Sequence, residues 1–167
     1  MNPLLNRDGL PLFEQIKEKH ISPAVNEVLK DNRLIIKNVE SNKEEPNWQN
    51  FVSPLQKSNE KLSRVWSQIN HLNSVVNNEE LRLIYNTNLT KITKYHSELS
   101  QNKLIYKKFI KIKSGRHYQK LTSPQKKIIN DEILGFELGG VGLDNSKKIE
   151  FKKIISKLSK LSASFEE

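Results

Sequence analysis

Leu134-Gly135-Phe136-Glu137-Leu138-Gly139-Gly140-Val141-Gly142-Leu143-Asp144 holds four of the chain's six glycines. Glycine reaches left-handed backbone conformations that a Cβ forbids, so Gly139, Gly140 and Gly142 in succession mark a helix exit and a reversal of direction. Such a stretch is either a corner between helices or a phosphate-cradling loop. The loop needs a strand running in and a helix whose amino end faces the anion. The run-in here, Ser123 to Ile133, is helical in pattern, and no Gly-Lys-Ser/Thr follows. The corner is the better reading, and it separates a helical body from one last helix.

Downstream of the corner, Asp144, Asn145 and Ser146 offer caps for that last helix. Within it Phe151, Ile154, Leu158, Leu161 and Phe165 recur at three, four, three and four residues. That spacing makes a narrow apolar seam of the kind that packs against a partner helix. The seam needs covering.

Upstream, Ser123-Pro124 and Ser22-Pro23 each read as an N-cap followed by proline at the first helical position, where its missing N–H costs nothing. A helix is predicted from Pro23 to about Glu40, with Val25, Val28, Leu29, Ile35, Ile36 and Val39 inward. Asn47 caps a long helix from Trp48 to about Val75, bent early at Pro54. Asn77-Asn78 breaks it, and Asn78 with Glu79 and Glu80 starts a third helix through Leu99. A shorter one runs from Lys103 to about Lys113. Before all of these, Pro3, Gly9 and Pro11 argue for an extended lead pinned to the body by Leu10, Leu12, Phe13 and Ile16.

No segment alternates with period two, and no repeat or low-complexity tract appears. The predicted fold is all-α, an antiparallel helical bundle of about six helices with a glycine-rich corner before the last. In organisation, residues 1–22 form the lead, 23–138 the body, 139–146 the corner and 147–167 the final helix.

A chain of 167 residues with 35% hydrophobic and 28% charged residues has a narrow core and a broad surface. The net charge of +9 invites a nucleic-acid or anionic-membrane reading. Against it, only Arg7, Arg33, Arg64, Arg82 and Arg116 are arginine, the planar fork that reads phosphate and guanine. The lysines are spread over every segment, with short clusters such as Lys147-Lys148 and Lys152-Lys153, so a solvated face outranks a binding surface. Without cysteine there is neither a disulfide scaffold nor a thiolate metal site. No apolar run approaches a membrane span, and the first residues lack an export signal, so the cytoplasm is the expected location.

His20, His71, His96 and His117 show no four-residue pairing and no Glu-x-x-His partner, so no metal site is read. His71 stands with Asn73 in the polar run Ser67-Gln68-Ile69-Asn70-His71-Leu72-Asn73-Ser74-Val75. A buried hydrogen-bonded cluster fixing the helix hairpin is preferred there over a catalytic base. Glu44-Glu45 and Glu79-Glu80 diverge by about 100° on a helix and do not converge on one bond. Tyr95, Tyr106, Tyr118, Trp48 and Trp66 fit core or core-edge places rather than a stacking platform.

Several of these pieces, taken in order, resemble the amino-terminal part of oligopeptidases of the A type, in the thimet oligopeptidase and neurolysin family of zinc metallopeptidases. They are Asn2-Pro3-Leu4-Leu5, Leu10-Pro11, Ser22-Pro23-Ala24-Val25, Trp48 with Pro54-Leu55, His71-Leu72-Asn73-Ser74-Val75, Glu80-Leu81-Arg82, His117-Tyr118, Gln125-Lys126-Lys127, Phe136-Glu137-Leu138, Gly140-Val141-Gly142-Leu143 and Leu158-Ser159. Their shared order covers nearly the whole chain. Gly135 departs from the larger residue expected at its place, and the His-Glu-x-x-His zinc helix of such enzymes has no counterpart here.

The resemblance implies a helical wall of a deep channel that admits short peptides and keeps folded proteins out. Zinc and the catalytic groups would come from another half of the enzyme, which is the implied partner of the Phe151 to Phe165 seam. No catalytic or metal-binding residue carries over, no cofactor is implied within this chain, and the chain is expected to be inactive alone. The alternatives are a stand-alone helical interaction module using that seam, and a basic protein that binds nucleic acid weakly.

Overall fold

The computed structural model describes residues 2–6, 9–76 and 78–166, with side chains as far as Phe165. Met1, Arg7, Asp8, Glu167 and Asn77, the last read above as part of a helix break, lie outside the described residues. Six α-helices follow one another: α1 (Glu18–Ser41), α2 (Ser53–Val75), α3 (Glu79–Ser100), α4 (Lys103–Ser114), α5 (Ser123–Leu138) and α6 (Asn145–Glu166). Among the described residues there is no strand, and the fold is all-α.

Most helix starts sit where short polar side chains can satisfy free backbone N–H groups. The Asn78 side chain accepts from Leu81 N at 2.8 Å, and that of Asn102 from Leu104 N and Ile105 N at 3.0 and 3.1 Å. The Asp144 carboxylate accepts from Lys147 N at 2.9 Å. Asn47 caps a single wide π-helical turn, Trp48–Val52, which runs directly into α2. That turn stands where the early bend was predicted. Pro54 stands at the second position of α2, where proline is tolerated.

Two starts differ from the sequence reading. α1 begins at Glu18, so Pro23 lies inside the helix and Ser22 caps nothing. His20 Nδ1 accepts the Lys17 N–H at 3.0 Å instead, and the Ser22 hydroxyl accepts from Asn88 Nδ2 of α3 at 2.8 Å. α5 is capped one residue earlier than predicted, by Thr122. The Gln125 side chain accepts the Thr122 N–H at 2.9 Å in return, forming a capping box.

Two cores share α1. The first joins Ile21, Val25, Val28 and Leu29 of α1 to Leu62, Val65 and Ile69 of α2 and to Leu81, Tyr85, Ile92 and Tyr95 of α3. The second joins Val39 at the far end of α1 to Phe51, Val52 and Leu55, then to Ile105, Phe109 and Ile112 of α4 and Ile129, Ile133 and Phe136 of α5. The start of α1 therefore meets the end of α2, and the two run in opposite senses. α1 and α3 run in the same sense, as Ser22–Asn88, Asn26–Lys91 and Arg33–Glu98 show. The lead lies on this body: Leu4 and Ile16 are buried in the first core, and Arg64 of α2 donates to the Asn6 and Gly9 carbonyls. Leu10, predicted as an anchor, is 85% exposed.

α5 leaves through a Schellman cap. Gly140 N–H bonds to the Glu137 carbonyl at 3.2 Å, Val141 N–H to the Phe136 carbonyl at 3.0 Å, and Gly140 has φ +82°. Val141 and Phe136, brought together by that geometry, both enter the second core. Of the three glycines read as the exit, only Gly140 adopts the left-handed region. Gly139 is needed for closeness, since a Cβ there would lie 2.4 Å from Ser100 Cβ. Gly142 has a negative φ and open space around it.

Candidate functional site

The helix beyond the cap is the least buried of the six. No described side chain of α6 is buried. Its docking face on α3 is made mainly of small groups, with Ile155 half-buried beside them: Ser156, Ser159 and Ala163 approach Leu89, Thr90 and Thr93, and the Thr93 and Ser159 hydroxyls are 3.0 Å apart. At its first turns Lys148 Nζ donates to the Gln101 carbonyl at 3.3 Å.

The predicted seam points elsewhere. At 100° per residue, the Ile154, Leu158, Leu161 and Phe165 strip lies about 160° around α6 from the Ser156, Ser159 and Ala163 face. Ile154, Leu158 and Leu161 are each more than half exposed, and Phe165 is 93% exposed. Phe151 alone is half-buried, beside Gly140. The other four thus form one outward apolar strip that the described part of the chain leaves uncovered.

Between the docking face and the strip runs a basic flank. Lys153, Lys157 and Lys160 stand at spacings of four and three, and with Lys152 and Lys94 of α3 they line a cleft of about 550 Å³. Its other lining groups are hydroxyls, among them Thr90, Thr93 and Ser156, and one acid, Glu98, already bonded to Arg33 at 3.3 Å. Partial burial, and then the positive charges of Lys103 and Lys152, hold Lys148 below the usual lysine range. By sequence alone these lysines belong to a scattered, solvated surface. Their i, i+4, i+7 spacing was the signal that they share a face.

A second cleft of about 540 Å³ lies between α1, α2 and the lead, with Leu4, Leu34 and Ile35 along it and the Lys61–Asp31 ion pair at its side. His71 does not belong to a buried cluster. It is exposed, with its ring 5.0 Å from that of Phe13. The hydrogen bond that ties α2 to α3 near this point runs from the Tyr85 hydroxyl to Asn70 Oδ1 at 2.9 Å. Asn73 is half-buried, with its Oδ1 buried and unpartnered among the described residues.

The other histidines are held in separate places. His20 accepts at the start of α1, His96 packs edge-on to Tyr95, and His117 accepts from Arg116. Among the described residues, no three His, Cys, Asp or Glu side chains converge in a way that could hold a metal ion. Zinc is therefore not matched by a donor set in the described part of this chain. No helix among the described residues is long and apolar enough to cross a membrane.

An all-helical body, a Schellman exit and a last helix with a solvent-facing apolar strip are the features for which a known domain has to account. A family model described as Neurolysin/Thimet oligopeptidase, N-terminal domain, matches residues 25–148. The chain belongs to that family. The match covers the body and the glycine exit and ends in the first turn of α6. Similarity to whole proteins of this oligopeptidase group continues further. The chain is 39% identical over 166 residues to oligopeptidase A of Haemophilus influenzae, covering 98% of this chain and 24% of that protein. It is 35% identical over 160 residues to oligopeptidase A of Escherichia coli, covering 96% of this chain and 24% of that protein. With the probable cytosolic oligopeptidase A of Arabidopsis thaliana it shares 32% over 166 residues, 99% of this chain and 24% of that protein. The chain spans about a quarter of the length of these oligopeptidase relatives.

Proposed function

We propose that this domain is one wall of the substrate channel of an oligopeptidase A-like zinc endopeptidase, and that it selects short peptides by geometry rather than by chemistry. On this reading the zinc, its ligands and the catalytic groups belong to the rest of the polypeptide, in the cytoplasm, and the chain alone hydrolyses nothing. The observation that carries it is the uncovered strip Ile154, Leu158, Leu161 and Phe165 on a helix none of whose described side chains is buried. An apolar strip of this kind calls for a partner surface. Relatives about four times as long offer one within the same enzyme.

The test expresses residues 1–167 and the remainder of such an enzyme separately and mixes them. The proposal expects stable association and recovery of cleavage of a quenched fluorescent peptide, both lost with Leu158→Asp. Chelator-sensitive cleavage by residues 1–167 alone would overturn it, as would association indifferent to Leu158→Asp. The same strip supports a second reading, a helical module that pairs with its own kind. A concentration-dependent dimer in light scattering, abolished by Leu158→Asp while the remainder of the enzyme fails to bind, favours that reading.

A further inference from the structure

We propose that the cleft between α3 and α6 is a docking site for an extended acidic peptide segment, held by Lys94 on one wall and Lys152, Lys153, Lys157 and Lys160 on the other. The charge balance of the cleft supports this. Five lysines face one acid, and that acid is occupied: Glu98 is bonded to Arg33 at 3.3 Å and lies 4.0 Å from Lys94. Among the described residues, the four lysines from α6 form no ion pair. Like charges gathered along one cleft raise the local concentration of anions and reward a partner that brings several carboxylates at once.

The shape narrows the partner further. A space of about 550 Å³ suits a short peptide segment and falls within the usual range for small-ligand sites. The walls are hydroxyls and lysine stems, which can bond a peptide backbone while the ammonium groups meet its side chains. They include no aromatic ring on which a base could stack and no arginine fork for a phosphate or a guanine edge. Nucleic acid is therefore the poorer fit. Lys148, held below the usual lysine range first by burial and then by the charges of Lys103 and Lys152, stands one turn before Lys152 on α6.

This proposal is independent of the channel-wall reading. The basic flank and the apolar strip are different faces of α6, so each can be altered without touching the other. The experiment titrates the purified chain with a fluorescein-labelled peptide of alternating Glu and Ser, in low salt, and reads anisotropy. The expected result is saturable binding that weakens with salt and is reduced about tenfold or more by Lys153→Glu with Lys157→Glu. A control pair on the exposed face of α1, Lys30→Glu with Lys37→Glu, should change it by less than about twofold. Far-UV circular dichroism checks the fold of both. Lys153→Gln with Lys157→Gln gives a milder second variant, expected to fall between them. Failure of the peptide to bind, equal loss in the control pair, or tighter binding of a single-stranded oligonucleotide of the same charge would each overturn the proposal.

Discussion

Asn32 of α1 and Ser58 of α2 lock the two longest helices together: the Asn32 amide, 1% exposed, donates to the Ser58 carbonyl at 3.1 Å. The Ser58 hydroxyl meanwhile bonds back to the Leu55 carbonyl at 3.0 Å. The pair sits between the two apolar cores, where a slip of one helix along the other would strand both groups away from water. Asn32→Ala should cost about 0.5–1.5 kcal/mol, the usual net worth of one intramolecular hydrogen bond. Urea unfolding followed by circular dichroism measures it, and a change within experimental error would remove the pair from any structural role.

The two cores predict different losses from ordinary cavity formation. Phe109 is 1% exposed and lies edge-on to Phe51 with ring centroids 4.9 Å apart. Phe109→Ala should destabilise the fold by about 3–5 kcal/mol, whereas Leu158→Ala on the outward strip should stay within about 0.5 kcal/mol. Equal losses at the two positions in the isolated chain would mean that α6 buries its strip in solution.

Glu132 adds a pH dependence. Its burial, and then the charge of nearby Asp131, raise its carboxyl above the usual glutamate range, although Gln56 Nε2 donates to it at 2.8 Å. Such a carboxyl gives up its proton more readily in the unfolded chain than in the folded one. Its contribution to stability is full below the usual glutamate range and is lost as pH rises through the raised folded value. Glu132→Gln keeps an acceptor for Gln56 and removes the ionisation. The variant should gain stability relative to the parent at about pH 7, and the gain should vanish near pH 4. A difference independent of pH would show that Glu132 titrates normally.

Helix by helix, the parts legible in the sequence are those decided locally. Asn47, Asn78 and Asp144 cap because a short polar side chain reaches only its own next N–H groups, whatever the rest of the chain does; Asn102 caps α4 in the same way, although it is not among the caps read from the sequence. Ser22-Pro23 misleads because a distant group, Asn88, takes the hydroxyl, and because a proline a turn and a half inside α1 is tolerated in a helix that both cores hold. His71 misleads for a geometric reason. It lies two residues beyond buried Ile69, about 200° around the helix, and so faces solvent where a list of polar neighbours suggested a cluster. The lysine cleft was hidden because apolar periodicity alone would turn the seam of α6 inward. The helix instead turns Ser156, Ser159 and Ala163 toward α3, with only Ile155 and Phe151 of its large apolar residues half-buried.

That docking sets the local stability of α6. With no buried side chain on its docking face and an open strip on the other, its opening should cost far less than unfolding of the cores. Hydrogen exchange should therefore be faster for amides 150–163 than for amides 60–70 of α2. Protection of α6 equal to that of α2 would contradict the uncovered strip, and with it the basis for the proposed partner.

The glycines of the exit give a graded series. Gly135 lies within α5, a Cβ there would meet nothing within 4 Å, and the backbone is not left-handed. Gly135→Ala should therefore stabilise the domain by about 0.5–1 kcal/mol, the helix-interior cost of glycine. Gly142→Ala, also in open space, should be close to neutral. Gly140→Ala combines φ +82° with a Cβ 2.7 Å from Leu143 Cδ1 and should cost about 1–2 kcal/mol. Gly139→Ala forces a Cβ to within 2.4 Å of Ser100 Cβ, so either the end of α3 or the exit of α5 has to move. Thermal melts of the four variants should rank Gly135→Ala highest, then Gly142→Ala, with Gly140→Ala and Gly139→Ala below the parent. If Gly140→Ala melts with the parent, the left-handed exit is not the conformation in solution, and the position of α6 on α3 falls with it.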